Sequence, residues 1–113
     1  MARDDYHVIV YQILAYLYTQ LKAGEPVDGK MLEANSKYLK VNERYWAYII
    51  ENLMEQGYIK GVSITKAWGS DVIIDNLDNT QITPQGIEYL CENSLMEKAL
   101  AILKDVKAIV PFI

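Results

Sequence analysis

Apolar residues near the start of the chain recur at helical spacing. At about 100° per residue, Ile9, Val10, Ile13, Leu14, Tyr16, Leu17 and Leu21 fall on one broad face, which His7, Tyr11 and Tyr18 widen sideways. Only a strip through Gln12, Thr19 and Lys22 stays wet, so this helix, over about 5–23, is expected to be buried on two sides, under another helix of the same chain or against a second subunit. Asp4 or Asp5 caps its start, and Gly24 followed by Glu25-Pro26 ends it. Asp28 opens a shorter helix, over about 28–36, through Met31, Leu32 and Ala34, with the polar Asn35-Ser36-Lys37 weakening its end. A third helix, over about 42–56, takes Asn42 as cap and Glu43 in its first turn, where the helix dipole favours negative charge, and stops at Gly57. Its inner arc holds Trp46, Ile49, Ile50, Leu53 and Met54; its outer arc holds Arg44, Ala47, Tyr48, Glu51, Asn52 and Glu55.

After Gly57 the period changes from that of a helix to that of strands. Tyr58 to Lys66 alternates as a half-buried strand, Trp68 to Asp71 is turn-like, and Val72-Ile73-Ile74 returns as its partner, giving a hairpin over about 58–75. Asp75 to Asn79 reads as a loop, and Gln81-Ile82 as a few extended residues. Thr83-Pro84 then starts a helix over about 84–93 with cap and N1 proline in order. Ser94 and Glu97 have capping-box spacing and open a last amphipathic helix, over about 95–110, whose stripe is Leu95, Ala99, Ile102, Leu103, Val106, Ile109 and Val110. Cys91 reads as a small buried hydrophobe, and His7 as structural.

Three helices, a hairpin and further helices, with a short connection between the second and third, is the element order of a winged helix-turn-helix domain carrying an extra C-terminal helix. The expected fold is therefore mainly α with a small antiparallel β-hairpin, as a single domain over 1–113. The start of the third helix (Leu39, Val41, Glu43, Trp46), the run EQGYIKG (Glu55 to Gly61), the run ITPQGIEYLCENS (Ile82 to Ser94) and the last helix ending in IVP resemble the YjcQ family of small proteins from Gram-positive bacteria and their prophages. That resemblance covers nearly the whole chain. It implies a winged-helix fold and a prophage-associated setting, and contains no catalytic signature.

Composition narrows the chemistry. The chain has 113 residues and a net charge of −4, the opposite sign from a protein held to nucleic acid mainly by bulk electrostatics. One cysteine and one histidine exclude an internal disulfide and a thiolate-imidazole zinc site. The start MARDDYHVIV lacks the basic, then apolar, order of a signal peptide, and no stretch reaches the roughly 20 apolar residues of a membrane span, so a cytoplasmic protein without membrane attachment is expected. The acidic run Asp71, Asp75 and Asp78 fails the alternate-residue pattern of a calcium loop and reads as solvated. No nucleophile, oxyanion donor set or phosphate loop is recognisable, so neither an enzyme nor a cofactor or metal is expected.

The charge distribution is uneven. From Lys30 to Arg44, four basic residues face two acidic ones, a local balance of +2. If duplex DNA is bound, the third helix is the recognition helix, with Arg44 on a guanine edge and Tyr48 and Asn52 on the same face. Lys37 and Lys40 then belong to the flanking patch, and Lys60 and Lys66 on the wing contact phosphates. The competing reading of that face is a solvated helix surface, because Glu51 and Glu55 lie on it and repel phosphates. Nine tyrosines raise a reading from another class, in which the scaffold grips a protein partner or a second copy through Tyr11, Tyr16, Tyr18 and Trp68 without binding DNA. Those tyrosines otherwise roof the core of a small domain.

Overall fold

The computed structural model describes residues 5–66 and 72–105. The expectation of a mainly helical chain with a small antiparallel β-part holds: four α-helices accompany two two-stranded antiparallel sheets among these residues. The elements are α1 (Asp5–Ala23), a 3-10 turn (Gly29–Leu32), α2 (Glu43–Glu55), β1 (Ile59–Lys60), β2 (Ser63–Lys66), β3 (Val72–Asp75), a second 3-10 turn (Leu77–Asn79), β4 (Gln81–Ile82), α3 (Pro84–Glu92) and α4 (Ser94–Asp105).

The broad apolar face of α1 is covered from within the chain, by α3, α4 and β4. Ile9, Val10, Ile13, Leu14, Tyr16 and Leu17 are all buried there. Tyr16 is one of the roofing tyrosines, and its hydroxyl accepts the Asp28 N–H at 3.0 Å. Leu21, placed on the buried face by periodicity, is instead 52% exposed, because α1 runs past the core in its last turn.

The helix expected over 28–36 is a correction. Asp28 does cap, its carboxylate accepting the Lys30 N–H at 3.0 Å, but only one 3-10 turn follows. The polar residues then take the backbone away from the helix: Asn35 adopts φ 57, its N–H reaches the Val41 carbonyl at 2.9 Å, and the Ser36 hydroxyl accepts the Leu39 N–H at 2.9 Å. Leu32, Tyr38, Leu39 and Val41 still deliver their side chains to the core.

On α2 the Asn42 side chain accepts the Tyr45 N–H at 2.9 Å, and Trp46, Ile49, Ile50 and Leu53 are buried as the pattern requires. The Trp46 indole N–H donates to the Leu32 carbonyl at 2.6 Å, so the ring anchors α2 to the irregular segment that replaced a helix. Gly57 (φ 77) ends α2, and the Tyr58 N–H returns to the Leu53 carbonyl at 3.0 Å.

The expected continuous strand over 58–66 is broken in two. Ile59 pairs with Ile82 and Lys60 with Gln81; after Gly61 and Val62 the ladder resumes with Ser63 opposite Asp75 and Lys66 opposite Val72. The return strand makes room for an excursion over 76–80, and Gly61 (φ 92) lies where that excursion crosses, since a Cβ at this position would overlap the Asn79 carbonyl oxygen. The outer pair, β2–β3, therefore forms an arm beyond the inner pair, β1–β4. The Asp78 carboxylate is a strut, accepting the Gly29 N–H at 2.6 Å.

Thr83 caps α3 as expected, accepting the Gly86 N–H at 3.0 Å while its own hydroxyl donates to the Gly57 carbonyl at 2.5 Å. The cap of α4 is Asn93 rather than Ser94: its side chain accepts the Leu95 N–H at 2.8 Å, and its N–H closes α3 on the Tyr89 carbonyl at 3.1 Å. Ala99 and Leu103 of the expected stripe are buried, and at its start Met96 is buried while Leu95 is 39% exposed. Val106, Ile109 and Val110 lie outside the described residues. Cys91, expected inside, is exposed.

Candidate binding surface

The outer arc of α2 is open to solvent. Glu43, Arg44 and Tyr48 are exposed near its N-terminal end, and Glu55 is exposed at the other. Arg44, Tyr48, Glu43 and Glu51 face Val72 and Ile73 of β3 across a cleft of about 540 Å³. The arm thus stands beside the first turns of α2, with Ile73 46% and Tyr48 56% exposed. Ile73 was not singled out in the sequence, although strand alternation was the available signal: Val72 and Ile74 are half-buried, whereas Ile73 between them is exposed.

The other expected DNA contacts do not line this cleft. Lys37 and Lys40 are exposed in the segment leading to Asn42, Lys60 is exposed on the inner pair, and Lys66 is exposed at the end of β2. The Asn52 side-chain amide donates to the Tyr48 carbonyl at 2.8 Å, one turn back on the same helix. Of the expected cations, Arg44 alone lines the cleft, together with the carboxylates Glu43 and Glu51.

Tyrosines link this side to the rest of the molecule. The Tyr6 ring meets Tyr48 edge-on at 6.4 Å and His7 at 5.3 Å. Burial first, and then the hydroxyls of Tyr48 and Tyr89, push the Tyr6 hydroxyl above its ordinary range. Tyr11 and Tyr18 are half-buried, and the Lys22 ammonium lies 4.4 Å from the Tyr18 ring centre. Trp68 lies outside the described residues.

A family model described as YjcQ protein matches residues 11–109. The chain belongs to the YjcQ family. The match takes in the whole of α2, the arm and α3, so the cleft is built from residues within the YjcQ region. No curated protein and no solved structure gives a significant match. Among the described residues of this YjcQ chain, no helix is long and apolar enough to cross a membrane, and no group of three or more His, Cys, Asp or Glu side chains is placed to hold a metal ion.

Proposed function

We propose that this YjcQ-family protein is a small prophage-associated regulator of winged-helix type that contacts duplex DNA, with α2 in the major groove and the β2–β3 arm on the backbone. The observation that carries this reading is the presentation of α2. Arg44 and Tyr48 stand exposed near its N-terminal end beside a two-stranded arm, while Trp46, Ile49, Ile50 and Leu53 hold the opposite face in the core. Reduction of the preceding helix to a 3-10 turn departs from a full helix-turn-helix, yet Trp46 fixes α2 to that segment through the Leu32 carbonyl. Exposed Lys37, Lys40, Lys60 and Lys66 supply positioning contacts, and Glu43, Glu51 and Glu55 keep non-specific attraction low.

The test is a mobility shift at low salt with duplexes of mixed sequence and with the DNA upstream of the protein's own gene. Arg44→Ala lowers affinity about tenfold, the cost of one good base contact. Lys40→Ala flattens the salt dependence by about one phosphate contact. No shift with any duplex, or unchanged binding when Arg44→Ala and Lys40→Ala are combined, refutes the proposal.

A second reading is favoured by the apolar exposure of Tyr48 and Ile73 between carboxylates, which suits a protein partner docking in the same cleft. In that case Ile73→Asp abolishes partner capture, and added salt leaves it largely intact.

A further inference from the structure

Apart from the α2–arm cleft, a second cleft of about 380 Å³ lies where α3 packs on the chain leaving Gly57, lined by Tyr58, Gln85, Glu88, Tyr89, Glu92 and Asn93. Its floor follows from close backbone packing. Gly86 lacks a Cβ where the Tyr58 carbonyl oxygen passes, which lets α3 lie directly against Tyr58. Three residues on from Gly86, Tyr89 then stacks its ring on that of Tyr58, centroids 4.5 Å apart and planes 23° apart. Both rings are only partly buried, so the pair presents an aromatic surface to solvent.

Glu88 and Glu92, four positions apart on α3, are both exposed at this cleft, and α3 contains no basic residue. Among the described residues no hydrogen bond or ion pair engages either carboxylate. Like charges at this spacing repel, and a cation seated between them removes the repulsion.

We propose that this cleft docks an arginine-bearing segment of a partner protein, its guanidinium stacked on the Tyr58–Tyr89 pair and forked onto Glu88 and Glu92. The two halves of the site ask for one chemistry. Aromatic faces attract cations, and a planar guanidinium stacks on them where a compact ammonium cannot. Carboxylates accept the guanidinium fork through paired, charge-assisted hydrogen bonds. Anionic partners, nucleic acid included, are repelled here, and the net charge of −4 draws a basic segment in from a distance. The site shares none of its lining residues with the α2–arm cleft, so it stands or falls independently of the DNA reading.

Titration of the full chain with acetylated tetra-arginine and tetra-lysine peptides, followed by NMR at low ionic strength, tests it. The expected result is saturable shifts centred on Tyr58, Tyr89 and the α3 amides, with tetra-arginine binding about fivefold or more tighter than tetra-lysine. Glu88→Gln with Glu92→Gln weakens tetra-arginine about tenfold. Tyr89→Leu erases the preference for arginine while leaving charge attraction, and Tyr89→Phe, which preserves the stack, retains the preference. Equal binding of the two peptides overturns the proposal, as do shifts centred elsewhere, an unchanged affinity in the double glutamine variant, or light scattering that finds a second copy already covering the cleft.

Discussion

Replacing Thr83 by valine isolates one junction on which two helices depend. Its hydroxyl accepts from the Gly86 N–H and donates to the Gly57 carbonyl, so a single oxygen caps α3 and also holds the end of α2. The side chain is buried, and valine preserves its branched shape while removing both bonds. Loss of an N-cap costs about 1 kcal/mol. The Gly57 carbonyl, partly shielded from water, loses a partner at a cost of about 1 kcal/mol more. The expected destabilisation is therefore about 2 kcal/mol. At about 2.1 cal/mol/K per residue of unfolding entropy over 113 residues, this lowers Tm by about 8 °C. Urea unfolding followed by far-UV circular dichroism reads it as a lower midpoint at unchanged slope. Thr83→Ser keeps the oxygen and gives up only a methyl group, so it loses about half as much or less. If Thr83→Val melts within about 2 °C of the parent, or if serine is as damaging as valine, the shared-oxygen account is wrong.

Gly61→Ala is expected to cost about 3 kcal/mol, because a positive φ disfavours a side chain and the added Cβ also collides with the Asn79 carbonyl. Gly24→Ala, at φ 70 with nothing within 4 Å of the new atom, costs only about 1 kcal/mol. Equal losses in a denaturation comparison would show that the excursion over 76–80 does not press on Gly61. At high pH the protein loses stability, because burial first, then Tyr11 and Tyr16, raise the Tyr38 hydroxyl above its ordinary 10.0, and burial raises Tyr6, Tyr11 and Tyr89 in the same direction. The unfolded chain releases these protons first, so this contribution is fully present below about pH 10 and is lost as the pH climbs past it. Melting temperatures across that range check the sign: Tyr38→Phe declines less steeply than the parent, and a flat parent profile refutes the linkage.

The parts of the fold that were legible in the sequence are those decided by neighbours in the chain. Asn42, Gly57 and Thr83-Pro84 act on backbone groups within a few residues, and the structure places their boundaries where the pattern put them. The failures have longer range or closer competition. The short helix after Asp28 gave way to a left-handed Asn35 whose N–H bonds the Val41 carbonyl and to a Ser36 hydroxyl that offers the backbone another partner. Ser94 and Asn93 are both good caps, and nothing local decides between them; likewise Leu95 and Met96 are neighbours of similar hydrophobicity, and only packing decides that Met96 is buried. The break at Gly61 depends on a segment some fifteen or more positions later, which alternation along one strand cannot register. Arg44 and Tyr48 were legible at the α2–arm cleft; Ile73 became a lining residue only once β3 was set beside them. Glu88, Tyr89 and Tyr58 meet through an approach that Gly86 permits, and no spacing in the sequence announces it.

The interrupted ladder has a mechanical consequence. The outer two strands join the body through two registered pairs and a five-residue detour, with Ile64 and Ile74 packed on the core close by, so the angle at which they lean toward α2 is set near that elbow. Insertions or exchanges within 76–80 would re-aim the arm and widen or narrow the gap over Arg44 while leaving every gap-lining side chain unchanged. Divergence among relatives at this remote bend would then tune what the gap admits.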